Sequence, residues 1–319
     1  MLQDSALDWR SYVDHLTRAH GSLARLALRV ERARPEADAA TIERGLRRLR
    51  QTPSGEGGKY GRWLLAIFGL PTEVEATIRW MGMYHTRFSD LPVPLCLDLI
   101  RAWDRPPVSE SKGRAWLELG RASCALRLRE FETAVAHARQ AVLGSARPDV
   151  LAEASLVRAF AAQHRRRYEE VTEALDAAER ATRRLPAGSD EAVFRARHLD
   201  QSGYNVTHPK SGPPDLSRAA ELYEAMPTDP PFSACKRAAG LAYVAWRRGS
   251  PAKAARLAGE AAQIAGDAGY VRLRVGALGL LAHITGDAAV ARRVEAIAKS
   301  LGDAELAARA ERVTRTTSR

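Results

Sequence analysis

The 319-residue chain has little cysteine, little lysine and no long apolar run. Its three cysteines, Cys96, Cys124 and Cys235, stand far apart. An odd, scattered set argues against a disulfide framework and a structural metal, and points to a reducing, cytoplasmic compartment. No window approaches the ~18 uninterrupted apolar residues of a membrane-spanning helix. The opening MLQDSALDWR is acidic and short of apolar residues, unlike a secretory signal. Catalytic signatures are missing too. None of G-x-x-x-x-G-K-[ST], G-x-G-x-x-G after a strand, H-E-x-x-H or G-x-S-x-G occurs. The eight histidines are isolated, so no catalytic residue, metal or cofactor is expected. Acidic pairs such as Glu169-Glu170 and Asp190-Glu191 fall at expected helix starts, where carboxylates suit the helix dipole. Of the 49 basic residues only 6 are lysine and 43 are arginine. That bias, with the alanine richness, fits a GC-rich bacterial genome, so the net charge of +11 says less about nucleic acid than where the charge lies.

What is present is a repeated pattern. In residues 115–141, AWLELGRASCALRLREFETAVAHARQA, Trp116, Leu119, Ser123 and Leu126 make one face of a helix. Phe131, Ala134, Val135, Ala138 and Ala141 make one face of a second, and Arg127–Glu130 is read as the polar joint between them. The second-helix spacing recurs at Tyr168, Val171, Leu175 and Ala178, and at Leu216, Ala219, Tyr223 and Met226. It recurs again at Ala254, Ala258 and Ala261, and at Ala291, Glu295 and Ala298. Taking Ala134, Val171, Ala219, Ala254 and Ala291 as equivalent gives steps of 37, 48, 35 and 37 residues; the long one holds the insertion THPKSGPPD at 207–215. Trp116, Leu119 and Gly120, followed by Phe131, Ala134 and Ala138, resemble the tetratricopeptide repeat (TPR) signature, with Ser123 and Ala138 replacing its usual Tyr and Phe. The resemblance implies an all-α fold, a right-handed α-solenoid of about five helical hairpins over 109–319. Ala304–Thr314 would cap the array. No single hairpin can bury its apolar face alone, so stacking supplies the core.

The resemblance also implies a concave binding groove. Small residues at Gly120, Ala159, Gly203, Ala242 and Gly279 let each first helix approach its partner. The residue after each turns about 100° away. In the family that direction faces the groove, which would place Arg121, Phe160, Tyr204, Tyr243 and Leu280 there. One turn on lie His164, Trp246, Arg247 and His283. Three aromatics in succession suit an extended or helical peptide or protein partner, with Trp246 and Arg247 as a wall and a charge for an acidic group. Packing of the same rings between repeats is the alternative.

The first 58 residues read as a separate helical head, with helices over 4–19, from Ser22 to Pro35, and over Ala39–Gln51 behind Asp38. Its third helix turns Ile42, Leu46 and Leu49 inward and Thr41, Arg44, Arg47 and Arg48 outward. Residues 20–51 hold eight arginines against four acids. Three short helices with a basic third face loosely resemble a helix-turn-helix or winged-helix reader of double-stranded DNA. In that reading Arg44 or Arg48 reaches a guanine edge, Arg25 and Arg29 hold phosphates, Gly55–Gly58 makes a short wing, and a homodimer is expected for paired half-sites. The alternative is a helical cap with a solvated arginine face.

Residues 59–108 read as an aromatic-rich connector. Its helices hold Tyr60, Trp63 and Phe68; then, from Pro71, Val74, Ile78, Trp80, Met83, Tyr84 and Phe88; then Leu95–Trp103. The expectation is a non-enzymatic regulator that couples a peptide or protein in the groove to DNA binding by the head. The alternative is a pure interaction scaffold. No membrane partner is expected, because no amphipathic segment pairs the basic face with exposed large apolars.

Overall fold

The computed structural model describes residues 7–52, 55–210 and 212–317. All regular structure among them is helical: there are seventeen α-helices, two short 3-10 turns and no strand. The chain divides into two compact units, one of Met1–Gly82 with Leu97–Leu117, the other of Met83–Cys96 with Glu118–Arg319. The sequence placed its boundaries at 58 and 108 instead.

In the first unit α1 (Trp9–His20), α2 (Leu23–Ala33) and α3 (Ala39–Gln51) start behind Asp8, Ser22 and Asp38, whose side chains each accept a backbone N–H. Such a cap satisfies one of the four orphan donors of a helix start and is worth about 1 kcal/mol. α4 (Gly58–Phe68) joins the same core: Trp9, Tyr12, Leu26, Val30, Ile42 and Leu46 are buried together with Trp63 and Leu64. Each of the larger side chains contributes about 1.5–3 kcal/mol by leaving water. Trp9 donates its indole N–H to Gly55 O at 3.0 Å, and its ring lies against Gly57 and Gly61, where a Cβ would come within 2.1 and 2.7 Å of it. The turn at Gly55–Gly58 is thus packed under Trp9, and the wing expected there is absent among the described residues.

α5 (Thr72–Gly82) is shorter than expected. Met83, Tyr84 and Phe88 lie beyond its end, in a turn and a 3-10 turn at Arg87–Asp90. Gly82 closes against α7, with room for no Cβ 2.4 Å from Trp116 O. α6 (Val93–Trp103) and α7 (Arg114–Leu128) each contribute to both units.

The second unit continues with α8 (Phe131–Gly144), α9 (Pro148–His164), α10 (Tyr168–Thr182), α11 (Ser189–Thr207) and α12 (Leu216–Glu224). Then come α13 (Pro231–Arg247), α14 (Pro251–Asp267), α15 (Val271–Thr285), α16 (Ala288–Ser300) and α17 (Ala304–Thr317). Proline opens α9, α13 and α14, where its missing N–H has no helical partner to lose. From α8 on, each helix packs on its neighbours in sequence, and α9, α11, α13, α15 and α17 pack successively on one another. Ala134, Val171, Ala219, Ala254 and Ala291 expose no surface at all. Small residues stand where helices meet: the Tyr223 ring of α12 lies against both Gly203 and Gly240, where a Cβ would sit 2.6 and 2.3 Å from it.

Arg127, read from the sequence as part of a polar joint, lies inside α7 and is 1% exposed. Its guanidinium meets the Asp303 carboxylate at 3.1 Å and Leu91 O at 2.8 Å. Asp303 also takes Arg272 at 2.7 Å and caps α17 by accepting Leu306 N–H. Burial works against its charged form, but Arg272, the Leu306 N–H and Arg127 hold its carboxyl below the usual range. The segment 83–96 is bound into this unit by arginines: Arg197 reaches His85 while forking onto the buried Glu153 at 2.5 and 2.7 Å, and Arg272 N–H donates to Asp90.

Candidate binding face

Seven of the nine residues expected to line a groove sit in a series of ring contacts at the C-terminal ends of α9, α11, α13 and α15. His164 is stacked on Phe131 at 5.0 Å and lies 4.5 Å from Phe160. Tyr204 stacks on His208 at 4.1 Å and 16°, and His208 lies 6.0 Å from Tyr243 at 22°. Tyr243 touches Trp246, and Trp246 meets His283 edge-on at 4.7 Å. The helical step explains the order, since positions 243, 246 and 247 of α13 share a face. Arg247 is exposed, donates to Tyr243 Oη at 2.8 Å, and spreads its guanidinium near both the Tyr243 and Trp246 rings. Tyr204 is 40% exposed, which makes it one of the few large exposed apolar side chains described. Of the other two, Leu280 is half-buried against the α13–α14 core, and Arg121 is half-buried and engaged by Glu118 at 3.0 Å, which also meets His137 at 2.7 Å.

Three contributors went unread in the sequence. His208 completes the Tyr204–Tyr243 stack but belongs to the insertion, where no repeat position pointed to it. Arg309 and Glu305 pair on α17, and both act on His164. Burial pushes the His164 imidazole down to about 4; Glu305 opposes this, and Arg309, Arg129 and Arg312 add to it. His208 is lowered by burial in the same way, against the hydrogen bond to Tyr204 O and with Arg247 and Arg309 adding to it. These imidazoles therefore stay neutral near pH 7, and the face is aromatic with guanidinium charge at its edges. Chemically it can hold a flat or extended apolar group beside an acidic one.

The head residues expected to meet DNA lie on α2 and α3. Arg25, Arg29, Arg44, Arg47 and Arg48 are exposed, and Thr41 is half-buried. Thr41 is fixed by Asp38 at 2.9 Å and accepts from Arg44 at 3.1 Å, while Arg47 pairs with Glu43 at 2.5 Å. The opposite side of α3, with Ile42, Leu46 and Leu49, is buried, and Gly45 on its flank faces the Tyr60 ring of α4, where a Cβ would lie 2.3 Å from it.

Among the described residues no group of three or more His, Cys, Asp or Glu side chains could hold a metal, and no helix is long and apolar enough to cross a membrane. All three cysteines are free and buried. Cys96 donates to Phe88 O at 3.3 Å and receives Arg127 at 3.6 Å. An open hollow of about 370 Å³ between α14 and α15, lined by Gln263, Asp267, Arg274 and Leu278 among others, is separate from the ring face. No protein-family model matches the chain, and no curated protein matches it.

Proposed function

We propose that the chain is a non-enzymatic binding protein of TPR type, cytoplasmic and bacterial. Its ring face takes a peptide or protein, and its head binds double-stranded DNA, so that one binding event regulates the other. The observation that carries this reading is the contact series Tyr204–His208–Tyr243–Trp246–His283 beside the exposed Arg247. Aromatic side chains left partly open in a row supply large contact area at low entropic cost, and a neighbouring guanidinium supplies specificity for an acidic group. Five hairpins whose equivalent small residues are fully buried support the solenoid reading. The DNA reading is supported by the exposed row Arg44, Arg47 and Arg48 on a helix whose other side is docked.

A second reading, an interaction scaffold whose head caps the array, is favoured by the same docking of Gly45 on Tyr60. Binding of the full chain to random duplex DNA, titrated against salt, separates the two. The DNA reading expects a steep fall with salt and a loss of about two units of log–log slope in Arg44→Ala/Arg48→Ala. Equal slopes in variant and wild type, or no binding at low salt, leave the scaffold.

A further inference from the structure

The rings of the binding face fall into two groups. Phe131, His164 and Phe160 make one, and Tyr204, His208, Tyr243, Trp246 and His283 make the other. Among the described residues no ring contact joins the two. The break lies between α9 and α11, which pack on each other. Two side chains stitch these helices together at its level. Gln163 Nε2 donates to Gln201 O at 2.9 Å, and Gln201 Nε2 donates to Leu156 O at 3.2 Å. Phe160 lies one turn after Leu156, and Tyr204 one turn after Gln201, so each ring shares a helix face with these bonds. Phe160 and Tyr204 therefore flank the break.

The next interval along the row shows what such a space holds. His208 sits between Tyr204 of α11 and Tyr243 of α13, 4.1 Å from one ring at 16° and 6.0 Å from the other at 22°. Helix axes pack about 8–10 Å apart. Rings in contact stand about 4.5 Å apart or more, so one ring fits between rings on neighbouring helices. Between α11 and α13 the chain supplies that ring itself. Between α9 and α11 it does not. His164 follows Phe160 by one turn, as His208 follows Tyr204, but it stacks on Phe131 instead, at 5.0 Å and 15°. Tyr204 is left 40% exposed. Charge around the break is lopsided. Besides their burial, His164 and His208 both feel the charge of Arg309 on α17. Arg129 and Arg312 add to it at His164, and Arg247 at His208; Glu305 alone opposes them, and it is paired with Arg309. Even so paired, Arg309 keeps 48% of its side chain exposed, so it stays open to a partner.

We infer that the break between Phe160 and Tyr204 takes an aromatic side chain of the partner peptide, with an aspartate or glutamate next to it in the peptide meeting Arg309. This rests on the peptide reading of the ring face and names its recognition element. A ring entering there makes the two groups one continuous row and finds a ring on either side. The adjoining carboxylate meets a guanidinium already held by Glu305, which loses little freedom on binding. A peptide is favoured over a free aromatic acid because the row runs on over α13 and α15, further than a single ring reaches.

The test selects peptides from a displayed random library on the full chain and keeps those that lose binding to Tyr243→Ala/Trp246→Ala. The kept peptides are expected to share an aromatic residue beside an acidic one. Replacing that residue by cyclohexylalanine keeps its bulk and removes its π face, and is expected to weaken binding about 2–10-fold. The change is made in the peptide, so no folding defect enters. Tyr204→Ala is expected to abolish the difference between ring and saturated forms. Arg309→Ala is expected to abolish the loss, about tenfold in the wild type, that follows when the peptide's acid is replaced by its amide. Kept peptides that lack an aromatic residue, or that bind equally well with the saturated side chain, would overturn the inference and leave the ring-face reading standing. A ring preference that survives Tyr204→Ala would overturn it too, by placing the side chain elsewhere on the face. Free phenylacetate binding as tightly as the peptides would overturn the choice of a peptide. If no selected peptide depends on Tyr243 and Trp246, the ring-face reading itself fails and this one with it.

Discussion

His164 is held neutral by its surroundings, and that has a pH consequence. Its imidazole stacks on Phe131 and lies tilted against Phe160, and burial pushes it down to about 4 in the fold. The unfolded chain titrates near 6.5. Between those values the unfolded chain binds the proton and the folded chain does not. Stability from the neutral ring is therefore complete above about pH 6.5 and is lost as pH falls towards 4. Two and a half pH units correspond to roughly 3 kcal/mol at most, and less here because the side chain is 20% exposed. His164→Phe keeps the stack and removes the proton site. Chemical denaturation at pH 7, 5.5 and 4.5 should show the wild type losing more stability than the variant; parallel losses would place the acid sensitivity elsewhere. The residue could be singled out in the sequence from its place one turn after Phe160. Its low basicity was not legible, because the cause is burial together with arginines on α17 far along the chain.

At the scale of elements, periodicity located helices well and their ends less well. Asp38, Ser22 and Gly21 mark boundaries by local chemistry, and the structure keeps them. The apolar run after Pro71 continues past Gly82 without a local stop signal, so the helix was read through Phe88. What ends it is Trp116 pressed on Gly82, and what holds Tyr84, His85 and Asp90 are arginines a hundred residues and more away. Asp303 joins three of these pieces, α7 through Arg127, α15 through Arg272 and the start of α17 through Leu306 N–H. Asp303→Ala leaves Arg127 buried without its carboxylate. Breaking a buried pair from one side costs about 3–5 kcal/mol. Hydrogen exchange should speed up first in α17 and the segment 83–96, with α1–α4 unchanged. Protection that stays uniform, with a loss below about 1 kcal/mol, would mean that Asp303 is not what fastens these pieces.

For the whole molecule, the repeat spacing revealed the all-helical chain because small residues must recur wherever helices touch, and Gly203, Ala242 and their equivalents do. The ring face was legible for the same reason, being the next residue along each helix. His208 was not, since it belongs to the insertion, where no repeat position points to it. The regulator reading makes a demand that neither binding face meets alone. A peptide can change DNA affinity only if it prefers one of two arrangements of the protein, and linkage then requires the effect to run equally in both directions. A peptide can be selected from a displayed random library for loss of binding to Tyr243→Ala/Trp246→Ala. If the protein is a regulator, saturating that peptide should shift duplex affinity by a factor in the usual range of about 5–150, and saturating duplex should shift peptide affinity by the same factor. Two independent affinities, each indifferent to the other ligand, would reduce the chain to a scaffold with two unlinked sites. Unequal factors would show that the selected peptide aggregates or binds the DNA itself instead of acting through the fold.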